Sequence, residues 1–298
     1  MWLILALIST LCIGVSTILS KIGIKNTDAY ITGAVTNTVL LAAFALAAAF
    51  TGVFHQTADM GWQSWLSVCA SGIVLSVSWA FYFLGLKGGS ISVFLAIQSL
   101  TIVFSMILCR IFIKETITLW MILGTGLIIG GTLLMMDRQE LQALKDKKIL
   151  KSDQRWILFS ALSAACASVS YVIVKADTTP IDTNVTSAYR YIIVVAFLWA
   201  LLYIKRKPAA SIKRNIADIP KKTWAFILLG AAASGGGHVL VYKALFLGKA
   251  AVIMTIYRMG MVVSIILSRF FLHEKLSKKG WIGLVLLIFG VVLFALPR

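Results

Sequence analysis

Acidic side chains are the scarcest chemistry in this chain. Only 11 of 298 residues are Asp or Glu, against 28 Lys and Arg, and charged residues of all kinds make up 13%. None of the acids lies within a long apolar run; each falls in a loop or at the end of a run. A deep carboxylate, the natural place for a proton to compete with a cationic substrate, is therefore missing, and so is a buried aspartate pair for intramembrane proteolysis. Other enzyme signatures are missing too: no HExxH, no GxSxG elbow, no phosphate-binding GxxxxGK[ST] and no GxGxxG opening a helix after a strand. The expectation is a protein that is not an enzyme and uses no cofactor or metal. The four cysteines, Cys12, Cys69, Cys109 and Cys166, lie in apolar segments with neither metal-pair spacing nor a disulfide framework. They read as small packing residues. The N-terminal stretch lacks a basic leader and is too long for a cleavable signal, so it reads as a retained helix.

What the chain does have is apolar length. Hydrophobic residues reach 60% and the mean hydropathy is +0.93, where a soluble domain would hold about 45–50% apolar and about 25% charged residues. A hydrocarbon core about 30 Å thick needs about 20 apolar residues per helix. Ten such runs appear, over 1–20, 29–51, 63–86, 91–113, 117–136, 156–175, 184–204, 223–246, 250–272 and 279–296. The net charge of +17 does not point to nucleic acid. The basic residues cluster between apolar runs, without an aromatic-interleaved face or finger spacing, and anionic headgroups are their natural partner.

The chain also repeats itself. "ALISTLCIGVSTILSK" (6–21) aligns with "SALSAACASVSYVIVK" (160–175) at a shift of 154, pairing Ser9 with Ser163, Cys12 with Cys166 and Lys21 with Lys175. "RIFIKETITLWMILGTGLIIGG" (110–131) aligns with "RFFLHEKLSKKGWIGLVLLIFG" (269–290) at a shift of 159, pairing Glu115 with Glu274 and Gly131 with Gly290. The polar stretch 137–155 divides two halves, 1–136 and 156–298, each with five runs. An odd number of crossings forces the second half to enter the membrane in the opposite sense. The expected fold is thus an all-α polytopic membrane protein of ten transmembrane helices in two inverted five-helix repeats. Such repeats mark secondary transporters, with the substrate site near the midplane between them.

The paired "FIKETITLWMILGTGLIIGGTLL" and "FLHEKLSKKGWIGLVLLIFGVVL", with the hairpins "FYFLGLKGGSISV" and "LVYKALFLGKAAV", resemble the EamA family of the drug/metabolite transporter superfamily. The likeness covers the whole chain, once per half. It implies a ten-helix permease that moves small metabolites, often outward. Two departures stand out. The arginine that family members commonly carry early in the second helix of each half appears here only in the seventh run, as Arg190; the second run has Thr36 and Asn37. The proline common in the middle of the fourth and ninth helices is absent, and the ninth carries Tyr257 and Arg258.

An ionisable side chain within the membrane is costly, at least ~2.5 kcal/mol at the helix centre, and marks a candidate functional site. Arg258 lies deep in its run, and Arg190 lies less deep, where it could also snorkel. Both are candidates to contact an anionic group on a substrate. At the 159 shift Gln98 matches Tyr257, Trp79 matches His238 and Phe83 matches Tyr242. Trp79 and Tyr82 share one face, as do His238 and Tyr242. The candidate substrate-binding set is therefore Arg258, Tyr257, Arg190, His238, Tyr242, Trp79, Tyr82 and Gln98. The three glycines of "SGGGH" before His238 suit either close helix packing or a bend. Glu115 and Glu274, at the start of the fifth and tenth runs, suit capping and helix-dipole roles.

The function expected is a secondary transporter of small neutral or anionic metabolites, amino-acid-like ones included, acting as an exporter by alternating access. The partners expected are a small-molecule substrate and the bilayer, with no nucleic acid, and one chain suffices as a monomer because it holds both repeats. The inner or plasma membrane is the expected location. Loops opposite the N-terminus hold roughly three times the basic residues of the other side, which places both termini outside the cytoplasm; the family resemblance points to termini inside. A non-transporting scaffold or accessory subunit, or a flippase for a lipid-linked carrier, are the alternative readings.

Overall fold

The computed structural model describes all residues except 26, 115, 137–154, 178–180, 206–215, 248–252, 254, 255, 258, 275 and 295–298, and the side chains of Tyr242, Leu245, Phe246 and Phe294. Among the described residues every regular element is helical. They are α1 (Trp2–Lys25), α2 (Ala29–Phe50), α3 (Trp62–Gly88), α4 (Ile91–Gln98), α5 (Leu100–Leu108), α6 (Leu119–Met135), α7 (Arg155–Ala176), α8 (Thr183–Lys205), α9 (Lys221–Leu247), α10 (Gly260–Phe271) and α11 (Lys278–Phe294). A 3₁₀ segment, Val53–Asp59, follows α2, and a π turn, Cys109–Ile113, ends α5. Helix is forced by the solvent: a lipid offers no partner to backbone N–H and C=O groups, so each must bond within its own segment. Among the described residues seven segments are long and apolar enough to cross a bilayer, with α4, α5 and the π turn counting together as Ile91–Ile113. Shorter apolar helices are Leu119–Met135 and Gly260–Phe271.

Helix starts carry the caps that the loops supply. Asp28 accepts from the Tyr30 backbone N–H at 2.8 Å, and Asp182 accepts from Asn184 at 2.7 Å. These are the same capping bond at matching places, 154 residues apart. The helices differ from the sequence reading chiefly at their ends. α1 runs on to Lys25 rather than stopping near 20, because Lys21 and Lys25 continue the helix past the last apolar turn. The run 91–113 is divided at Ser99 into α4 and α5.

Buried serines and threonines share the interior with apolar side chains, and large apolar side chains also cover the outside. Ser9, Ser64, Ser71, Ser76, Ser160, Ser168 and Ser187 are fully buried, whereas Phe50, Trp62, Phe112, Phe270 and Phe289 are exposed. Lipid tails are as apolar as leucine, so helix association rests on close packing and interhelical hydrogen bonds, not on hiding apolar surface. Ser9 Oγ donates across to the Gly237 carbonyl at 2.7 Å, joining α1 to α9. Ser78 Oγ donates to the Ser163 carbonyl at 2.9 Å, joining α3 to α7. By the two sequence shifts these bonds join matched pairs of positions, with donor and acceptor exchanged, since Ser9 matches Ser163 and Ser78 matches Gly237.

A close backbone approach joins α6 and α11. A Cβ on Gly131 would lie 2.6 Å from the Gly283 carbonyl oxygen, and one on Gly290 would lie 2.8 Å from the Gly124 carbonyl oxygen. Gly124 faces Gly290 and Gly131 faces Gly283, so the two helices run antiparallel. Gly126 and Gly130, on the same helix, face open space. The same substitution should therefore have opposite outcomes on one helix. Gly131→Ala should cost about 1–3 kcal/mol through overpacking against backbone, while Gly126→Ala and Gly130→Ala should be neutral or slightly stabilising. Thermal unfolding of detergent-purified protein checks this, and equal effects at all three positions would contradict the assigned interface.

Candidate functional site

Two helix breaks and, on α2, α3 and α8, a set of buried polar atoms without partners mark the interior. At the first break, Ile102 N–H bonds the Ser99 carbonyl at 3.1 Å in a tight i to i+3 turn. No proline or glycine causes it. Hydroxyls take up the carbonyls around it: Thr132 donates to Ala96 at 3.1 Å, Thr101 donates to Gln98 at 2.7 Å, and Ser168 donates to Thr101 at 3.0 Å. In the second half, Met259 N–H bonds Ile256 at 3.0 Å and Val262 N–H bonds Met259 at 2.9 Å. Thr10 Oγ1 donates to the Ile256 carbonyl at 2.8 Å. The two turns lie within one residue of each other by the 159 shift. Irregular backbone at membrane depth persists only where protein or a cavity satisfies it.

Arg190 lies on α8 and is 9% exposed, so its side chain is held inside and does not snorkel. It donates from Nη2 to Ser170 Oγ at 3.1 Å, and Ser170 Oγ donates in turn to the Ser71 carbonyl at 2.9 Å. That chain ties α8 to α7 and α3. Among the described residues Arg190 Nε is buried without a hydrogen-bond partner. So are Ser187 Oγ and Asn184 Oδ1 on α8, Thr36 Oγ1 and Asn37 Oδ1 on α2, and Trp79 Nε1 on α3. Asn184, Ser187 and Arg190 recur every third residue and form one stripe of α8. Asn37 spends its amide on the Gly33 carbonyl at 2.8 Å. Orphaned buried polar atoms cost about 1–3 kcal/mol each, so a concentration on three adjoining helices calls for an explanation such as a ligand or water.

The other sequence candidates fall around this cluster in two groups. Trp79 stacks on Phe83, with centroids 5.7 Å apart, and meets Tyr82 edge-on at 5.1 Å. Tyr82 in turn meets Phe94 of α4 at 4.9 Å. Gln98 Nε2 donates to the Ser160 carbonyl at 3.4 Å, tying α4 to α7. On the other side His238 Nδ1 lies 2.8 Å from the Ser234 carbonyl and Nε2 lies 3.2 Å from Tyr257 Oη. A carbonyl only accepts, so Nδ1 carries the proton, and in the neutral ring Nε2 accepts from the Tyr257 hydroxyl. Phe44 joins this pair to α8, meeting His238 at 6.4 Å and Tyr191 at 5.2 Å. Trp79 and Val239 both pack against the α2–α8 core of Ala34, Phe44, Ala188 and Tyr191. Trp79, and its repeat match His238 through Phe44, thus both reach this core. Arg258 and the side chain of Tyr242 lie outside the described residues.

Two of the three glycines before His238 serve packing, Gly235 against Ala43 and Gly237 against Ile13 and Cys12, while Gly236 faces open space and α9 continues unbroken. A cavity of about 210 Å³ lies elsewhere, against Ser92, Arg269, Glu274 and Trp281 at the end of α10. Glu274 differs from expectation. It does not cap the helix that comes after it but accepts from Ile91 N–H at 2.9 Å and from Ser92 Oγ at 3.4 Å, at the start of α4. Sequence reasoning missed Asn184 and Ser187; their three-residue spacing with Arg190 was the available signal.

A helical bundle with seven candidate spans among the described residues and an apolar exterior is an integral, multi-pass membrane protein. The model of the EamA-like transporter family matches residues 1–137 and 154–296. The chain belongs to that family and is a membrane transporter. A protein of Sinorhizobium sp., described as an uncharacterized transporter in the cobO 3' region, is 28% identical over 142 residues, which make up 48% of this chain and 97% of that one. An uncharacterized protein of Methanocaldococcus jannaschii is 31% identical over 85 residues, 28% of this chain and 62% of its own length. A solved crystal structure aligns with a TM-score of 0.66 at 17% identity, covering 97% of this chain and 94% of that one, a likeness of fold.

Ser170 is the one hydrogen-bond partner of Arg190 among the described residues. Ser170→Ala should strip a further N–H of its partner and lower stability by about 1–3 kcal/mol, measured by thermal unfolding. An unchanged midpoint would mean that the guanidinium is already solvated.

Proposed function

We propose that this transporter carries small neutral or anionic metabolites, amino-acid-like solutes among them, by alternating access between two inverted five-helix halves, and works as an exporter of the plasma or inner membrane. The observation that carries the substrate reading is Arg190. It is a permanent cation, buried, bonded to a neutral serine rather than a carboxylate, and it sits on a stripe whose neighbours also lack partners. A carboxylate or phosphate on a substrate would satisfy it with charge-assisted bonds. The orphaned oxygens of Asn37 and Asn184 would accept from an ammonium or amide on the same molecule. Trp79, Tyr82, Gln98, His238 and Tyr257 would bound the space, with Arg258 and Tyr242 as second-half contributors.

The mechanism draws support from pairing. Bonds between matched positions join α1 to α9 and α3 to α7, the α6–α11 glycines face each other antiparallel, and both halves break at matching depth. Such halves supply two related packings of similar energy, and broken helices at the midplane are where transporters bind their cargo. The ten-crossing count, the halves 1–136 and 156–298 about the polar stretch 137–155, and the functional monomer belong to this reading. A scaffold would neutralise its buried arginine internally, which the serine contact does not do.

Counterflow in proteoliposomes against a panel of amino acids, organic acids and amines tests this. Anionic or zwitterionic compounds should be carried and purely cationic ones should not. Arg190→Met should lower uptake of the carried compound at least tenfold, and Arg190→Lys should retain part of it. Transport that Arg190→Met leaves unchanged would defeat the substrate assignment.

A further inference from the structure

A second charged constellation lies at the end of the bundle that holds the α3–α4 turn. Lys21 Nζ donates to the carbonyls of Leu86, Lys87 and Gly89. An ammonium has three donors, and all three are used on the last turn of α3, where carbonyls point outward and the helix dipole is negative. One turn further, the Glu274 carboxylate receives Ile91 N–H, at the start of α4, at 2.9 Å and Ser92 N–H at 3.5 Å. There the dipole is positive. A cation from the first half and an anion from the second thus hold the two sides of one turn. Lys87 Nζ donates to the Thr27 carbonyl at 2.7 Å, binding the turn to the end of α1 as well.

Placement of Glu274 is built into the backbone. His273 has φ of 55°, in the left-handed region, and so ends the segment after α10 by turning the chain toward α4. Among the described residues the other non-glycine position with positive φ is Lys114, at 58°. The two are counterparts at the 159 shift, and each directly precedes a glutamate. A left-handed conformation at a side-chain-bearing residue costs energy. Its use twice, at the same place in both halves, argues that the direction given to the glutamate matters. Glu115 lies outside the described residues; Glu274 lies on the face that carries Lys21.

We propose that Glu274, seated on the α3–α4 turn that Lys21 ties to α1, forms a charged latch between the halves that keeps this face of the transporter closed, and that release of Glu274 from the start of α4 opens it. The proposal rests on the alternating-access reading above. Opening a path on this side requires the α3–α4 turn to part from α10, and the Glu274 bonds are a direct link between them. Both bonds are charge-assisted and end on backbone, so their geometry is fixed by the helices and not by flexible partners.

Sided labelling tests it without a substrate. Cys12, Cys69, Cys109 and Cys166 are replaced, and Gln98→Cys is introduced at the α4–α5 break as the reporter. Right-side-out and inverted vesicles are treated with a membrane-impermeant charged maleimide. With the latch intact, labelling from the Lys21 face should be slow. Glu274→Gln, a neutral isostere, should raise the rate from that face at least tenfold while leaving the opposite face unchanged or slower, and Lys21→Met should act in the same direction. Glu274→Asp should fall between. Rates unchanged by Glu274→Gln, or raised equally from both faces as in general loosening, would overturn the latch. If Lys21→Met fails to give a monodisperse protein, Glu274→Gln decides alone. Loss of sided labelling with intact counterflow refutes the latch and spares the transport reading; sided labelling without any carried compound does the reverse.

Discussion

Everything in this molecule depends on the refusal of lipid to hydrogen-bond. A backbone N–H or carbonyl turned toward hydrocarbon has no partner, so the chain must provide one. That requirement makes the segments helical. It also explains why the interior is rich in serine and threonine: Thr132, Thr101, Ser168 and Thr10 each give a hydroxyl to a carbonyl beside a break. In water those carbonyls would be solvated and the hydroxyls unnecessary. Here the hydroxyls are what allow a helix to be interrupted at depth without a proline.

Against this background of satisfied groups, the unsatisfied ones carry information. The chain accommodates the carbonyls at its breaks with short hydroxyl bonds, yet leaves polar atoms of Thr36, Asn37, Trp79, Asn184, Ser187 and Arg190 without partners. The contrast separates two uses of polarity in one bundle. Serines that join helices, such as Ser9 and Ser78, complete their bonds within the protein. Residues on the α2–α8 seam hold donors and acceptors open.

Much of the fold could be read from the sequence, because a membrane helix needs only length and apolarity and these are visible directly. The internal repeat was visible as well, since Ser9 with Ser163 and Glu115 with Glu274 keep their spacing. Arg190 could be singled out by depth, but whether it snorkelled could not be decided, since that depends on Ser170 in a different helix. The Ser99 break was hidden for the same reason: beside the local Thr101, its supporting hydroxyls come from α6 and α7. Glu274 was expected at a helix start, and it is at one, but the helix belongs to the other half. Each unread feature is a contact between segments far apart in the chain, for which composition and periodicity have no signal.

The glycine pairs of α6 and α11 have a consequence for descent. Gly124 meets Gly290 and Gly131 meets Gly283, so matched residues of the two halves exchange places across a common centre. A surface of that kind is complementary to a copy of itself, which is the condition for an isologous interface. A single five-helix unit bearing it could associate with an identical unit set the other way round, before any fusion joined them. Fusion would then have freed the halves to diverge where identity was no longer needed, as Thr36 and Arg190 have done at matched positions, while the glycines facing each other could not change without breaking the contact that paired them.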